Sequence, residues 1–161
     1  MSVLWAPWRM EYILSDKDKK GCIFCIGDDR TGYEERLILY AGPMSIVMMN
    51  RFPYNNGHLL VAPVRHTHDL GGLSSEESLD LILTVRKAVE ILREEMSPEG
   101  LNVGLNLGKA AGAGVEDHIH FHVVPRWNGD TNFMTVAGEV RVIPEHIRET
   151  YKKLKPYFEK F

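Results

Sequence analysis

The stretch DHIHFHVVP, residues 117–125, alternates three histidines with apolar residues. A period of two in a β-branched and aromatic segment predicts a strand, whose successive side chains point to opposite faces. We therefore expect His118, His120 and His122 to share one face. Burying three imidazoles in a row is costly without partners. Because imidazole can act as nucleophile, proton carrier or metal ligand near neutral pH, the pattern favours a chemical role over three structural core histidines.

The segments around the histidines predict a small sheet. The expected strands are residues 36–40, 45–50, 58–62 and 101–106, together with the histidine stretch. Strands that are joined by turns, with one helix inserted in mid-chain, are typical of an antiparallel α+β domain. We therefore expect a five-stranded antiparallel sheet that packs one face on the helix and leaves the histidines on its open side.

A long helix is predicted in the middle of the chain. Ser74 and Glu77 have the spacing of a capping box, which begins the helix, and Pro98 lies just beyond its expected end. The apolar positions recur every three or four residues, as one helix face requires. They are Leu79, Ile82, Val85, Val89, Leu92 and Met96.

A second helix is predicted near the C-terminal end. This amphipathic stretch opens at Pro144 and carries Ile147, Tyr151 and Leu154. Pro156 is expected to end it, because proline cannot supply the backbone N–H that continues a helix.

Length and composition indicate one globular domain. The chain has 161 residues, 44% hydrophobic residues and a net charge of −3, so a polyanion-binding surface and a nucleic-acid partner are not expected. No apolar run is long enough to span a membrane and the first residues lack a signal-peptide layout, which favours a cytoplasmic protein. We expect an N-terminal arm at residues 1–20, a core at 21–126 and a C-terminal extension at 127–161.

Two short motifs outside the histidine stretch could bind ligands. Cys22 and Cys25 are the only cysteines, and their two-residue gap is typical of a metal or redox pair, with a free thiol pair as the alternative. The loop 108–114 is rich in glycine, so its backbone N–H groups could approach a phosphate. Glycine loops are often only loops, and this one lacks the Gly-Lys-Ser/Thr ending of a Walker motif.

Three motifs in a fixed order resemble the histidine-triad (HIT) superfamily. They are HIHFHVV, the strand–turn–Gly-His segment within MMNRFPYNNGHLLVAPVRH, and NLGKAAGAG, all between residues 45 and 126. The segments LWAPWRMEYI and HVVPRWNGDTNFM extend the resemblance to nearly the whole chain and favour the branch of bacterial-type diadenosine tetraphosphate phosphorylases.

The resemblance implies roles for individual residues. His120 would be the nucleophile and His122 would donate to the phosphate oxygens. Asn50 would contact the ribose, and Asn106 the phosphate or the leaving group, although either could be an ordinary turn former. His58 would support the triad. The loop glycines, notably Gly112 and Gly114, would line the phosphate site.

The resemblance also implies a structural metal site and an oligomer. In zinc-carrying members, His66 and His118 would complete a tetrahedral Cys2His2 site with Cys22 and Cys25. His68 would compete, but on an extended chain it points away from His66. No separate metal is needed for the covalent step. The protein would be at least a homodimer whose sheet continues across the interface.

The function implied by the resemblance is nucleotidyl transfer from a dinucleoside polyphosphate to phosphate or water, most specifically diadenosine tetraphosphate phosphorolysis. Family members with hydrolytic chemistry often carry Ser, Thr or Gln near the end of the loop, whereas this chain has GAGVED at residues 112–117. A backbone-lined pocket could instead admit inorganic phosphate. The alternatives are a purine-nucleoside phosphoramidase or general nucleotide hydrolase, a non-catalytic nucleotide-binding module, and a zinc-stabilised interaction module.

Overall fold

The computed structural model describes residues 21–27, 31–130 and 145–161. Its centre is the predicted five-stranded antiparallel sheet, with strand order β1-β2-β3-β5-β4. The strands are β1 (Ile38–Ala41), β2 (Ser45–Met49), β3 (Leu59–Pro63), β4 (Gly100–Leu105) and β5 (Phe121–Arg126). The α+β prediction is confirmed. The expected N-terminal arm lies outside the described residues, as does part of the C-terminal extension.

Two helices pack on one face of the sheet. Helix α1 (Ser75–Met96) begins with the predicted capping box, in which Ser74 accepts from the Glu77 backbone N–H and the Glu77 carboxylate accepts from the Ser74 backbone N–H. Helix α2 (Ile147–Phe158) follows near the C-terminal end. Their apolar faces and the inward side chains of β1, β2, β3 and β5 form the main core.

A smaller apolar cluster fills the opposite face of the sheet. It contains Phe24 from the segment between the two cysteines and residues from β1, β2 and β3, among them Ile46 and Leu60. Leu60 pairs directly with His122 of β5, and directly opposed residues of an antiparallel pair share a face. The histidine side of β5 therefore lies away from the helices, as predicted.

The prediction of the apolar stripe on α1 is wrong at two positions, Leu79 and Ile82. Leu79 and Ile82 are 61% and 52% exposed, whereas Leu81 and Ile91, which the stripe omitted, are buried. The helix has apolar residues on more than one side, and periodicity cannot say which side meets the sheet. The sheet packs against the side that carries Leu81, Val85, Ala88 and Leu92.

The second helix does not end at Pro156 as predicted. It continues to Phe158, which is buried in the main core together with Leu154. Proline costs one intrahelical hydrogen bond, and burial of the Phe158 ring offsets that cost.

Strand β5 begins later than the histidine stretch predicts. The backbone N–H of Ile119 donates to the Thr67 carbonyl at 2.8 Å, and pairing with β3 and β4 starts only at Phe121. His118 and His120 therefore precede the paired strand and lie where the chain enters the sheet. Among the described residues, no helix has the length and apolar character that crossing a bilayer requires.

Candidate active site

The His120 ring is held by the backbone just before it. Its Nδ1 lies 2.9 Å from the His118 carbonyl oxygen, and the residue is 5% exposed. A carbonyl oxygen can only accept, so Nδ1 carries the proton and Nε2 carries the lone pair. His120 therefore presents a neutral nitrogen that is suited to nucleophilic attack.

His122 has the opposite tautomer, and His58 sets it. The Tyr54 backbone N–H donates to His58 Nδ1 at 3.0 Å, so the proton of His58 must lie on Nε2. That nitrogen is 2.9 Å from His122 Nδ1, which then accepts and leaves the His122 proton on Nε2. His122 Nε2 is buried and has no hydrogen-bond partner among the described residues. His122 therefore carries a buried N–H donor that no described residue uses.

Burial favours the neutral form of the His120 and His122 rings. It lowers the pKa of His120, and it lowers the pKa of His122 to about 4, with the neighbouring His120 ring as a smaller cause. The His120 and His122 ring centroids are 4.9 Å apart. At neutral pH these two adjacent rings therefore differ, because Nε2 carries a lone pair in His120 and a proton in His122. Such a pair is suited to attack on an electrophile that gains negative charge during the reaction.

Four side chains gather at the other end of the histidine stretch. Cys22 Sγ is 3.2 Å from His118 Nδ1 and Cys25 Sγ is 3.4 Å from His66 Nδ1. The four candidate ligand atoms lie within 4.8 Å of one another, and His68 is not among them. These are the residues that the resemblance implied for zinc.

The donor set of this cluster fits zinc. His118 Nε2 donates to the Pro63 carbonyl at 2.7 Å, so Nδ1 carries the lone pair that a metal needs, and a carbonyl in this place is the usual partner of a metal-bound histidine. Two thiolates and two imidazoles make a closed tetrahedral set, which is typical of structural zinc. The ring of His118 faces the cysteines, whereas its backbone carbonyl faces His120.

The asparagines and glycines that were predicted to bind the nucleotide lie at strand ends and in the glycine loop. Asn50 follows β2, where its Oδ1 accepts from the Phe52 N–H and its Nδ2 lies 3.3 Å from His58 Nδ1. Asn106 directly follows β4. The Gly112 N–H donates to the Lys109 carbonyl at 2.9 Å, so in this conformation it closes the loop's own turn. Phosphate contacts by Gly112 and Gly114 stay a prediction.

Two aromatic residues of the site were missed from the sequence. The Phe24 ring lies 5.1 Å from the His118 ring and 4.9 Å from the His120 ring. The Tyr54 ring stacks on His122 with 5.7 Å between centroids and 18° between planes. The only signal for Phe24 is that a large apolar residue stands between two candidate ligands, and Tyr54 sits in a turn-rich segment where nothing singles it out.

Comparison with known proteins defines the class. The model of the HIT domain family matches residues 32–129, which include the nucleophile candidate and the Gly-His turn. The chain therefore belongs to the HIT domain family.

Two relatives that are named for different enzyme activities, and one solved structure, support this membership. An alignment of 158 positions, which covers 94% of this chain, gives 37% identity to a Mycobacterium tuberculosis protein named AP-4-A phosphorylase and covers 81% of that protein. A second alignment of 129 positions, which covers 76% of this chain, gives 30% identity to a Dictyostelium discoideum bis(5'-adenosyl)-triphosphatase and covers 85% of that protein. A zinc-bound histidine-triad protein from Mycobacterium smegmatis superposes with a TM-score of 0.65 at 28% identity, covering 87% of this chain and 94% of that one.

Proposed function

We propose that this protein transfers a nucleotidyl group from a dinucleoside polyphosphate through a covalent intermediate on His120, and that diadenosine tetraphosphate is the preferred substrate. The observation that carries the proposal is the pair of opposite tautomers in two adjacent rings. His120 has a lone pair on Nε2, whereas Nε2 of His122 has an N–H donor that no described residue uses. The named activity of the Mycobacterium tuberculosis relative supports the choice of substrate.

The first half-reaction forms a P–N bond. His120 Nε2 attacks the α-phosphorus, and the bond from that phosphorus to the bridging oxygen breaks. The leaving nucleotide, ATP for diadenosine tetraphosphate, departs with the bonding electron pair. His122 Nε2–H donates to the phosphate oxygens as their negative charge grows. The His118 carbonyl accepts from Nδ1–H and stabilises the positive charge that develops on the His120 ring.

The second half-reaction regenerates the ring. An acceptor oxygen attacks the same phosphorus, the P–N bond breaks, and its electron pair returns to His120 Nε2. Inorganic phosphate as acceptor gives ADP, whereas water gives AMP. We propose phosphate, because residues 112–117 supply no Ser, Thr or Gln side chain at the loop end. Asn50 would bind the ribose and Asn106 the departing phosphates, with Gly112 and Gly114 shaping the loop around them.

A product assay tests this proposal. The protein is incubated with diadenosine tetraphosphate, with and without inorganic phosphate, and the nucleotides are separated. We expect ATP and ADP in equal amounts, and only when phosphate is present. AMP plus ATP without phosphate would make the protein a hydrolase and would contradict phosphate as the acceptor.

The same assay, extended to a second substrate, separates the other functions. Cleavage of an adenosine phosphoramidate with no cleavage of the dinucleotide would favour a phosphoramidase, since both activities share attack by His120 and differ in the leaving group. Nucleotide binding with no turnover of either compound would favour a binding module. Zinc binding with no nucleotide affinity would favour an interaction module.

We propose that the cluster of Cys22, Cys25, His66 and His118 binds one structural zinc ion. The four donor atoms and the orientation of His118 support this, and so does the zinc bound to the Mycobacterium smegmatis neighbour. Bound zinc would tie the cysteine segment to the chain on both sides of α1. Because thiol ligands must stay reduced, a reducing compartment such as the cytoplasm suits the site.

We also propose a homodimer that pairs through β4. The β1 edge of the sheet is covered, since Tyr151 donates to the Ile38 carbonyl and Lys155 to the Leu39 carbonyl. At the other edge, β4 is largely exposed. Val103 pairs with the buried Val123, so it lies on the helix side of the sheet. An open strand edge beside apolar surface favours pairing with a second copy.

A single charge should break this dimer. Val103 is 46% exposed and Val64, away from this edge, is 37% exposed. We expect Val103→Asp to sediment as a monomer at concentrations where the wild type is a dimer, because a carboxylate would be desolvated in the interface. Val64→Asp is the matched control and should stay dimeric. A dimeric Val103→Asp protein, or a monomeric wild type, would contradict the β4 interface.

A further inference from the structure

Two contacts connect the candidate metal centre, formed by Cys22, Cys25, His66 and His118, to the His120 ring. The first is His118 itself, which offers its ring to the cysteines and its carbonyl oxygen to His120 Nδ1, at 2.9 Å. The second is the Phe24 ring, which packs at 5.1 Å from the His118 ring and 4.9 Å from the His120 ring. His118 and Phe24 therefore connect metal binding to the orientation of His120.

Phe24 cannot easily move away from these rings. It is 1% exposed and packs into the smaller apolar cluster on the open side of the sheet. Its backbone lies in a tight turn, in which the Cys25 N–H donates to the Cys22 carbonyl at 3.1 Å. Arg36 holds this turn from outside by donating to the carbonyls of Ile23 and Cys25, at 2.9 and 3.3 Å.

The orientation of His120 needs such support. An imidazole on a terminal sp³–sp² torsion has a broad, roughly two-fold preference, so a flipped ring would present carbon atoms where the nitrogens belong. One hydrogen bond to a carbonyl favours the productive orientation. A ring that contacts the face or edge of His120 removes the space that the flip requires.

We propose that Phe24 is a positioning residue that locks the His120 ring with Nε2 towards the substrate, and that the cysteine–histidine metal centre acts on the reaction by fixing Phe24 and the His118 carbonyl. This inference rests on the proposed function, because it assigns a role in the attack by His120. Phe24 acts through His120 and not through the phosphates, so its effect falls on the covalent step and not on nucleotide affinity.

The test replaces the ring while keeping the space filled. Phe24→Leu and Phe24→Met remove the aromatic contact with a moderate change of side-chain volume. If Phe24→Leu folds poorly, Phe24→Met still allows the measurements. Ile23→Ala is the matched control, because Ile23 lies in the same turn with an exposed side chain. Four quantities are measured: bound zinc per chain, the single-turnover rate of His120 nucleotidylation, the KM, and the ring-nitrogen NMR shifts of His120 without nucleotide.

We expect both Phe24 variants to bind zinc as the wild type does, with KM nearly unchanged and the covalent step slower by roughly 10- to 100-fold, the loss that small misplacement of a reacting group causes. The His120 spectrum should change from one tautomer to a mixture. Ile23→Ala should match the wild type in all four quantities. A wild-type covalent rate together with a single His120 tautomer in both Phe24 variants would overturn the proposal.

A double-mutant cycle tests the connection to the metal. Phe24→Leu and His66→Ala are measured alone and together. If the metal centre acts through Phe24, the effects of the two substitutions on the covalent rate are non-additive. Independent sites give effects that add in free energy, and additive effects would overturn this part of the proposal.

The NMR measurement needs no substrate. A wild type that turns over no dinucleotide would therefore reject the proposed function, while the His120 spectra of the Phe24 variants would still support or reject the positioning role.

Discussion

Replacing His120 by asparagine is expected to reduce nucleotide turnover by about 10⁴-fold or more, since removal of a covalent nucleophile typically has effects of this order. Asparagine keeps a polar side chain of similar length but offers no basic nitrogen for a P–N bond. Its amide N–H can still donate to the His118 carbonyl, which accepts from His120 in the native protein. We therefore expect the fold and nucleotide affinity to persist. Steady-state kinetics, nucleotide titration and circular dichroism measure the three quantities.

The matched control for this change is His68→Asn. His68 is exposed and, unlike its neighbour His66, stands outside the four-residue cluster, so turnover should be unchanged. A covalent nucleotidyl adduct should form on the wild type and on His68→Asn, and mass spectrometry should find none on His120→Asn. Wild-type turnover or a persistent adduct in His120→Asn would mean that another residue is the nucleophile.

Replacing His66 by alanine is expected to remove most of the bound zinc and to lower the melting temperature by about 10 °C. Three of four ligands would remain, and an incomplete set holds structural zinc poorly. For a domain of this size the shift corresponds to a loss of roughly 3–4 kcal/mol of unfolding free energy. Metal analysis of the purified protein and a thermal scan with and without added chelator give both quantities.

His68→Ala provides the control, because both histidines are exposed and stand two residues apart. It should keep the wild-type zinc content and melting temperature. Chelator should lower the melting temperature of the wild type and of His68→Ala, and have little effect on His66→Ala. Equal zinc content in the two variants would show that His66 is not a ligand.

The local elements could be predicted because their signals are local. Ser74 and Glu77 start α1 through hydrogen bonds within one turn, and the short apolar runs of β2 and β3 indicate strands without reference to the rest of the chain. The four residues of the cysteine–histidine cluster were also named from the sequence, but only by resemblance. Spacing alone pairs Cys22 with Cys25 and cannot bring in His66 and His118, which are 41 and 93 residues from Cys25.

The errors have a common cause. Leu79 and Ile82 were expected in the core and lie exposed because the sheet packs on the neighbouring face of α1. Pro156 was expected to end α2, but burial of Phe158 carries the helix past it. In both places a tertiary contact overrides the local pattern.

The sequence by itself determined that His118, His120 and His122 alternate along one stretch and that the chain forms an antiparallel sheet with two helices. The resemblance implied a different role for each of the three rings, but only the tertiary structure shows the contacts that set the tautomer of each ring. His118 donates to Pro63 and turns Nδ1 to the cysteines, His120 donates to the His118 carbonyl, and His122 accepts from His58. A tautomer depends on which partner stands beside each nitrogen, and those partners lie up to 96 residues away along the chain.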